Sequence, residues 1–337
     1  MTGGAGFIGS YLSELLTEAG AAVTIADNLK RGTRSRIAHL LDRAKLKVTD
    51  LYEYKNCLDV CRNQDVVMNL AAKVTGIEYN RFNMADMFES NMLLQMNVLR
   101  AASEAGTPRF LQVSTACIYP HDAKVPTPES EGERAAPEPT NEGYGLAKLM
   151  GEKLARYYAR EKGMQVLIAR PFNAYGARDH FDEATSHVIP ALIKRVLDGQ
   201  DPVAIWGSGN QSRAFVHAKD IARGMMLIAE KAPSAVPINI GHDTEMTIKE
   251  LFVTICKILG KTPRPFFDTS KPDGYARRSA DITLLKKVTG FIPSISLEQG
   301  IREMAESFVL ENKQYESAMA RSLHEKPARK IHSFRTA

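Results

Sequence analysis

Tyr144 and Lys148 stand four residues apart in the run Tyr-Gly-Leu-Ala-Lys. On a helix this spacing puts both side chains on one face, one turn from each other. An ammonium beside a phenol favours the phenolate and pulls down a pKa that starts near ~10. The pair can then serve as a general base toward a hydroxyl near neutral pH. Spacing alone fits equally well a tyrosine packed on the core beside a solvated lysine, so the assignment rests on its surroundings. Just upstream, the apolar strand pattern Phe110-Leu111-Gln112-Val113-Ser114 ends in Thr115-Ala116-Cys117. In an extended strand end, Thr115 and Cys117 are two apart and face the same side.

A second constellation opens the chain. Gly3-x-x-Gly6-x-x-Gly9 leads into helical apolar spacing from Phe7 to Ala19, which Gly20 ends. Such glycines allow a tight turn and close backbone approach to a pyrophosphate at a helix N-terminus. The strand pattern Ala22–Ala26 follows and ends in Asp27, 18 positions after Gly9. An acid at that place receives the adenosine ribose hydroxyls of NAD. Asp27 repels a 2′-phosphate, so NAD is expected, while Lys30 and Arg31 nearby leave a lesser case for NADP.

The elements that must carry these residues alternate. Strand patterns at Leu46–Thr49, Asp65–Leu70, Phe110–Ser114 and Gln165–Ala169 are separated by helical ones, the longest from about Met84 to Ala105. This is an α/β rhythm, and it predicts a Rossmann doubly wound parallel sheet with ligands at the carboxyl ends of its strands. Residues 121–141, rich in proline and acid, read as an irregular loop. From Arg170 the rhythm breaks, as expected of a smaller C-terminal substrate lobe. A strand near 236–241 returns to the main sheet, which interleaves the two. The expected division is a dinucleotide-binding domain over 1–170, a substrate lobe over 171–312 and a loose basic tail over 313–337. A Rossmann unit places a buried strand before its glycine loop, whereas this chain starts Met1-Thr2-Gly3. The expectation is that this strand lies upstream, with Met1 standing where its last valine belongs.

Composition excludes several classes. The chain has 337 residues, 44% hydrophobic and 25% charged, with a formal net charge of +5. After Met319, five Lys and Arg residues against Glu325 account for four of those charges, so the body is nearly neutral. That argues against a nucleic-acid footprint. No apolar run approaches the ~18 residues of a membrane span, and no signal peptide is evident. The four cysteines show neither a disulfide framework nor the ligand spacing of a metal site, which suits a reducing cytoplasm.

Taken together, Thr2-Gly3-x-x-Gly6-x-x-Gly9, Asp27, Asn69-x-Ala71-Ala72, Thr115, Tyr144-x-x-x-Lys148 and Arg170-Pro171-x-Asn173-x-Tyr175-Gly176 resemble the extended short-chain dehydrogenase/reductase family that acts on nucleotide-diphosphate sugars. Within it, Cys117-Ile118-Tyr119-Pro120, Ser186-His187-Val188-Ile189-Pro190, Trp206-Gly207-Ser208-Gly209 and Ser270-Lys271-Pro272-Asp273-Gly274 are similar to the GDP-L-fucose synthase branch. The run Ala116–Pro120 and an acid like Asp27 are shared with the GDP-mannose 3,5-epimerase branch. The fucose-synthase branch consumes NADPH and lacks that acid, so the body of the chain and its cofactor loop point to different redox outcomes.

The resemblance implies site residues. Gly3, Gly6, Phe7, Ile8, Gly9, Asp27, Asn28, Leu70, Ala71, Ala72, Asn91, Tyr144 and Lys148 would hold the dinucleotide. Thr115 and Tyr144 would bind the sugar 4-oxygen, and Cys117 and His187 would exchange protons at C3 and C5. On their own, Cys117 reads as packing and His187 as a satisfied hydrogen-bonder; their positions within matching runs make them candidates. Asn173 and Arg213 would meet the substrate, Arg213 because a guanidinium matches phosphate oxygens bidentately. Lys271, Asp273 and Arg278 could meet the nucleotide end or be surface charges. The family also implies a homodimer through the helices around 84–105 and 142–163. A simple nucleotide-sugar 4-epimerase, in which Cys117 and His187 stand by, remains open. So does a silent NAD-binding sensor.

Overall fold

Alternating apolar runs become alternating strands and helices. In chain order the first half is α1 (Phe7–Glu18), β1 (Thr24–Asp27), β2 (Lys45–Val48), α2 (Tyr54–Cys61), β3 (Val66–Asn69), α3 (Ile77–Phe82), α4 (Met84–Glu104), β4 (Arg109–Val113), α5 (Glu142–Lys162) and β5 (Gln165–Pro171). Then come β6 (Ala174–Tyr175), α6 (Val188–Leu197), β7 (Val203–Trp206), β8 (Ser212–Arg213), β9 (Val216–His217), α7 (Ala218–Lys231) and β10 (Pro237–Ile240). The chain closes with β11 (Met246–Thr247), α8 (Ile248–Leu259), β12 (Pro265–Asp268), β13 (Arg277–Arg278), α9 (Thr283–Thr289) and α10 (Leu297–His324). The computed structural model describes residues 1–182, 186–271 and 274–324, with 311–324 as helical backbone.

The main sheet is parallel throughout, ordered β3-β4-β5-β10 on one side and β1-β2 on the other. Thr2 joins the halves by bridging in parallel to both Ala26 and Asn69. Gly3 N donates to Ala26 O at 2.8 Å and Leu70 N to Thr2 O at 3.2 Å. The sheet position between β1 and β3 is thus held by the residues immediately before the glycine loop. That loop therefore emerges at the carboxyl edge of the sheet, where a doubly wound fold takes its ligands.

Both faces of the sheet are covered, so its strands are apolar without alternation. In β5, Val166 and Ile168 pack toward α2, α4 and α5, among Val98, Leu99 and Ala155. Leu167 and Ala169 point the other way, toward Leu12 of α1 and Ile221 and Met225 of α7. The second lobe has its own core of Ile189, Ile193, Ile205, Leu251, Phe252, Ile301 and Met304. It is built on small sheets, β12-β7, β11-β8-β13 and β6-β9.

Helix α10 continues through His324, where the expectation was a loose tail from residue 313. Apolar periodicity fades there, but Lys313, Gln314, Glu316, Ala318, Met319, Ala320, Arg321 and Leu323 are strong helix formers, and propensity carries the backbone on. Residues 325–337 lie outside the described part. Among the described residues no helix is long and apolar enough to cross a membrane.

Candidate active site

The glycine loop is shaped by contact. A Cβ at Gly9 would lie 2.1 Å from Gly3 O, so only glycine lets the first turn of α1 close on the loop. Gly6 caps α1 without a side-chain hydrogen bond, and the first turn carries no acid. The first N–H groups, at Phe7, Ile8 and Gly9, thereby remain available to an anion. Asp27, at the end of β1, accepts from Ala5 N at 3.0 Å and from Leu29 N at 2.9 Å. The carboxylate therefore braces the glycine loop. Asn28 Oδ1 accepts from Lys30 N at 3.1 Å, and Lys30 itself is paired with Asp50.

Leu70, Ala71 and Ala72 follow β3 directly, and Ala71 N donates to Thr2 Oγ1 at 3.2 Å. Asn91, expected at the cofactor, is buried, and its amide is committed to the Lys73 backbone at 3.0 and 3.1 Å and to Met87 O at 2.8 Å. It shapes the stretch after β3 from behind. Helix N-terminus, glycine cradle and strand-end acid together fit a dinucleotide.

Helix α5 aligns Tyr144, Lys148 and Glu152 at successive four-residue steps on one face. It approaches the end of β4 closely, because a Cβ at Gly145 would stand 2.3 Å from Cys117 O. Lys148 Nζ donates to Val113 O at 3.0 Å and lies 6.0 Å from the Tyr144 ring centre. Burial pulls the Lys148 pKa down to about 8, with the Glu152 charge opposing. The Tyr144 pKa moves up, contrary to the reading from spacing: burial raises it, the Cys117 charge adds to that, and a hydrogen bond with Thr115 works the other way. Desolvation governs the shift, and Lys148 directs its hydrogen bond at a backbone carbonyl rather than at the phenol. Glu152 is tied in turn to Arg170 by two bonds, 2.9 and 2.7 Å, with both side chains almost fully buried.

Thr115 Oγ1 accepts from Cys117 N at 3.2 Å and turns the chain at the strand end. Arg278, read as a residue of the nucleotide end or a surface charge, donates from Nη2 to Cys117 Sγ at 3.5 Å. Burial disfavours its charge, but Cys117 and Tyr275 more than offset that. The structure thus gathers Thr115, Cys117, Tyr144 and Arg278 in one place. A small cleft beside them is lined by Ala116, Tyr119, His121, Phe172, Tyr275 and Arg278.

The other substrate candidates flank this cluster. Asn173 Nδ2 donates to Ala214 O at 2.9 Å and to Arg278 O at 3.0 Å, so it holds the backbone of Arg278 in place. Arg213 Nη1 donates to Tyr275 O at 2.7 Å. Lys271 lies 5.2 Å over the half-exposed ring of Trp206, a surface on which a base could stack. Asp273 lies outside the described residues.

His187 caps the start of α6, and its contacts run to Asp179 and His180 rather than to Cys117. Asp179 and Tyr275 were not singled out from the sequence: an acid eight residues before a histidine and a tyrosine after a glycine carry no motif. Trp206 was visible only as part of a matching run. Among the described residues no cluster of His, Cys, Asp and Glu is arranged to hold a metal ion.

A parallel doubly wound sheet, a glycine-cradled helix N-terminus and a Tyr/Lys pair beside a strand-end Thr define the class, an extended short-chain dehydrogenase/reductase. More narrowly, the chain belongs to the NAD dependent epimerase/dehydratase family, whose pattern matches residues 1–241. It is 39% identical to GDP-L-fucose synthase of Escherichia coli (strain K12) over 261 residues, 74% of this chain and 81% of that one. It is 30% identical to GDP-mannose 3,5-epimerase 1 of Oryza sativa subsp. indica over 305 residues, 90% of this chain and 79% of that one. Among solved structures it is similar to UDP-glucose 4-epimerase of Thermotoga maritima with UDP-glucose, at a TM-score of 0.83 and 28% identity over 92% and 98% of the two chains.

Proposed function

We propose that the protein is a nucleotide-sugar epimerase acting on a GDP-hexose, inverting C3 and C5, with or without net reduction of a 4-ketone. The observation that carries this reading is the convergence of Cys117 with Thr115, Tyr144 and Arg278, which puts a thiol where the Tyr/Lys pair works. A bound nicotinamide supplies the hydride acceptor and donor. Tyr144, beside Thr115, moves the proton of the sugar 4-oxygen, and Lys148 orders that end of the site. A 4-ketone acidifies the hydrogens on C3 and C5, and inversion needs one group to remove a proton and another to return one from the opposite face. Cys117 and His187 are the groups assigned to this exchange. Arg213, with Lys271 and Trp206, forms the nucleotide-diphosphate end, and Asn173 keeps Arg278 in place.

NAD rather than NADP fits Asp27, whose carboxylate stands against the glycine loop. A homodimer through α4 and α5 fits the exposed Leu93, Met96 and Tyr157 on those helices. The test is incubation with GDP-mannose in heavy water without added reductant, and separately with the 4-keto-6-deoxymannose nucleotide plus NADPH, each read by product mass. Carbon-bound deuterium in either product supports the reading. A 4-epimerised product without it would favour the second reading, a simple 4-epimerase, which the likeness to the Thermotoga enzyme keeps in view.

A further inference from the structure

The segment that follows β6 is fastened on three sides. Arg178 pairs with Glu14 of α1 and lies 4.1 Å over the Tyr11 ring. His180 Nε2 is 2.8 Å from Arg31, in the loop after β1. Between them, Asp179 N donates to Gly176 O at 2.9 Å, while Asp179 Oδ1 accepts from His180 N at 2.9 Å. The remaining oxygen, Oδ2, lies 2.8 Å from His187 Nδ1. The Asp179 side chain is only 2% exposed, whereas the His187 side chain is 57% exposed. Asp179, buried and anchored through its backbone N–H and its Oδ1, thus holds one nitrogen of a half-exposed imidazole.

From this geometry we infer that Asp179 is the positioning residue for His187: it receives the Nδ1–H, fixes the ring, and leaves Nε2 as the nitrogen that exchanges protons with substrate. The inference rests on the reading above that His187 takes part in the epimerisation. A carboxylate on the far side of an imidazole selects the tautomer and stabilises the charged ring, as in hydrolase triads. Among the described residues, the groups facing His187 are Asp179, His180, which neighbours it at 6.4 Å between ring centres, and Arg31. The His187 pKa moves up: the partial burial of this half-exposed ring and the Arg31 charge act to lower it, and the charge and hydrogen bond of Asp179 outweigh them. Because Asp179 is latched through its neighbours to α1 and the cofactor loop while His187 begins α6, the pair also fixes the lobe relative to the dinucleotide half.

Three measurements on the full chain test this. The first is nitrogen NMR of the wild-type imidazole, which should show His187 in the Nδ1–H tautomer when neutral; an unprotonated Nδ1 would overturn the proposal. The second compares titrations: in Asp179→Asn the His187 midpoint should fall by about one unit or more, and an unchanged midpoint would overturn it. The third is carbon-bound deuterium uptake by substrate. Asp179→Asn should slow it about a hundredfold with a much smaller change in KM, and the pH–rate limb that follows His187 should move down with the midpoint. In a His187→Gln background the same change should cost nothing further; an equal cost there would mean that Asp179 acts by another route. If wild-type enzyme places no deuterium on carbon, the functional reading fails, and the two imidazole measurements still decide whether Asp179 governs His187.

Discussion

At the scale of residues, the site depends on where charge is buried. Lys148 has its pKa lowered from 10.5 to about 8. Between those values the unfolded chain carries a proton that the folded chain has released, so stability rises with pH across that window and the buried ammonium is a cost below it. Lys148→Met should therefore raise the melting temperature by a few degrees at pH 7, gain less near pH 10.5, and abolish turnover. Calorimetry beside an activity assay checks both halves, and a fall in melting temperature at pH 7 would contradict the burial cost. The Tyr/Lys spacing was legible in the sequence because helical geometry makes it a contact by itself. The direction of the Tyr144 shift was not, because desolvation depends on what packs around a ring in three dimensions. Arg278 shows the same limit: its position near the nucleotide motif was readable, its approach to Cys117 across 161 positions was not.

Secondary-structure elements hold these residues through buried polar links. Arg170 on β5 grips Glu152 on α5 and also donates to the Tyr119 hydroxyl at 3.0 Å and to Glu129 O at 2.8 Å. Removing one partner strands a buried charge, so Arg170→Ala should cost about 3–5 kcal/mol in denaturant unfolding. It should also shift the Lys148 titration, since Glu152 would lose its fixed place. A second chain of amides joins Thr2 to Asn69 at 2.7 Å, Asn69 to Gln112 at 3.4 Å and Gln112 to Gln95 at 2.6 Å; Gln95 then reaches Ala147 O at 3.1 Å. Gln112→Leu leaves Asn69 and Gln95 with fewer partners and should cost about 1–3 kcal/mol; an unchanged unfolding midpoint would remove this chain from the list of supports. The strand Gln165–Ala169 was legible in the sequence as a continuous apolar run in an α/β rhythm. The sequence did not show which polar residues cross the core to meet each other.

Over the whole molecule, the division of labour was largely visible: glycine loop, alternating sheet and irregular lobe follow from local patterns. A returning strand near 236–241 was expected; what local patterns cannot carry is that β10 takes the edge beside β5 and that residues 178–180 latch onto α1 and Arg31. At this scale the exposed Leu93 and Met96 on α4 and Tyr157 on α5 support pairing of two copies. Leu93→Glu with Met96→Glu should yield a monomer by light scattering with the sheet core intact by circular dichroism. A dimer that survives both charges would place the contact elsewhere.

The most direct measurement is deuterium uptake at C3 and C5 of the nucleotide sugar, read by NMR for wild-type enzyme and for Cys117→Ser side by side. Wild-type enzyme should place deuterium on both carbons, and Cys117→Ser should lose it by about a hundredfold or more while still oxidising or reducing C4. Equal uptake by both enzymes, or turnover at C4 with none on either carbon, would contradict a proton-exchanging role for Cys117.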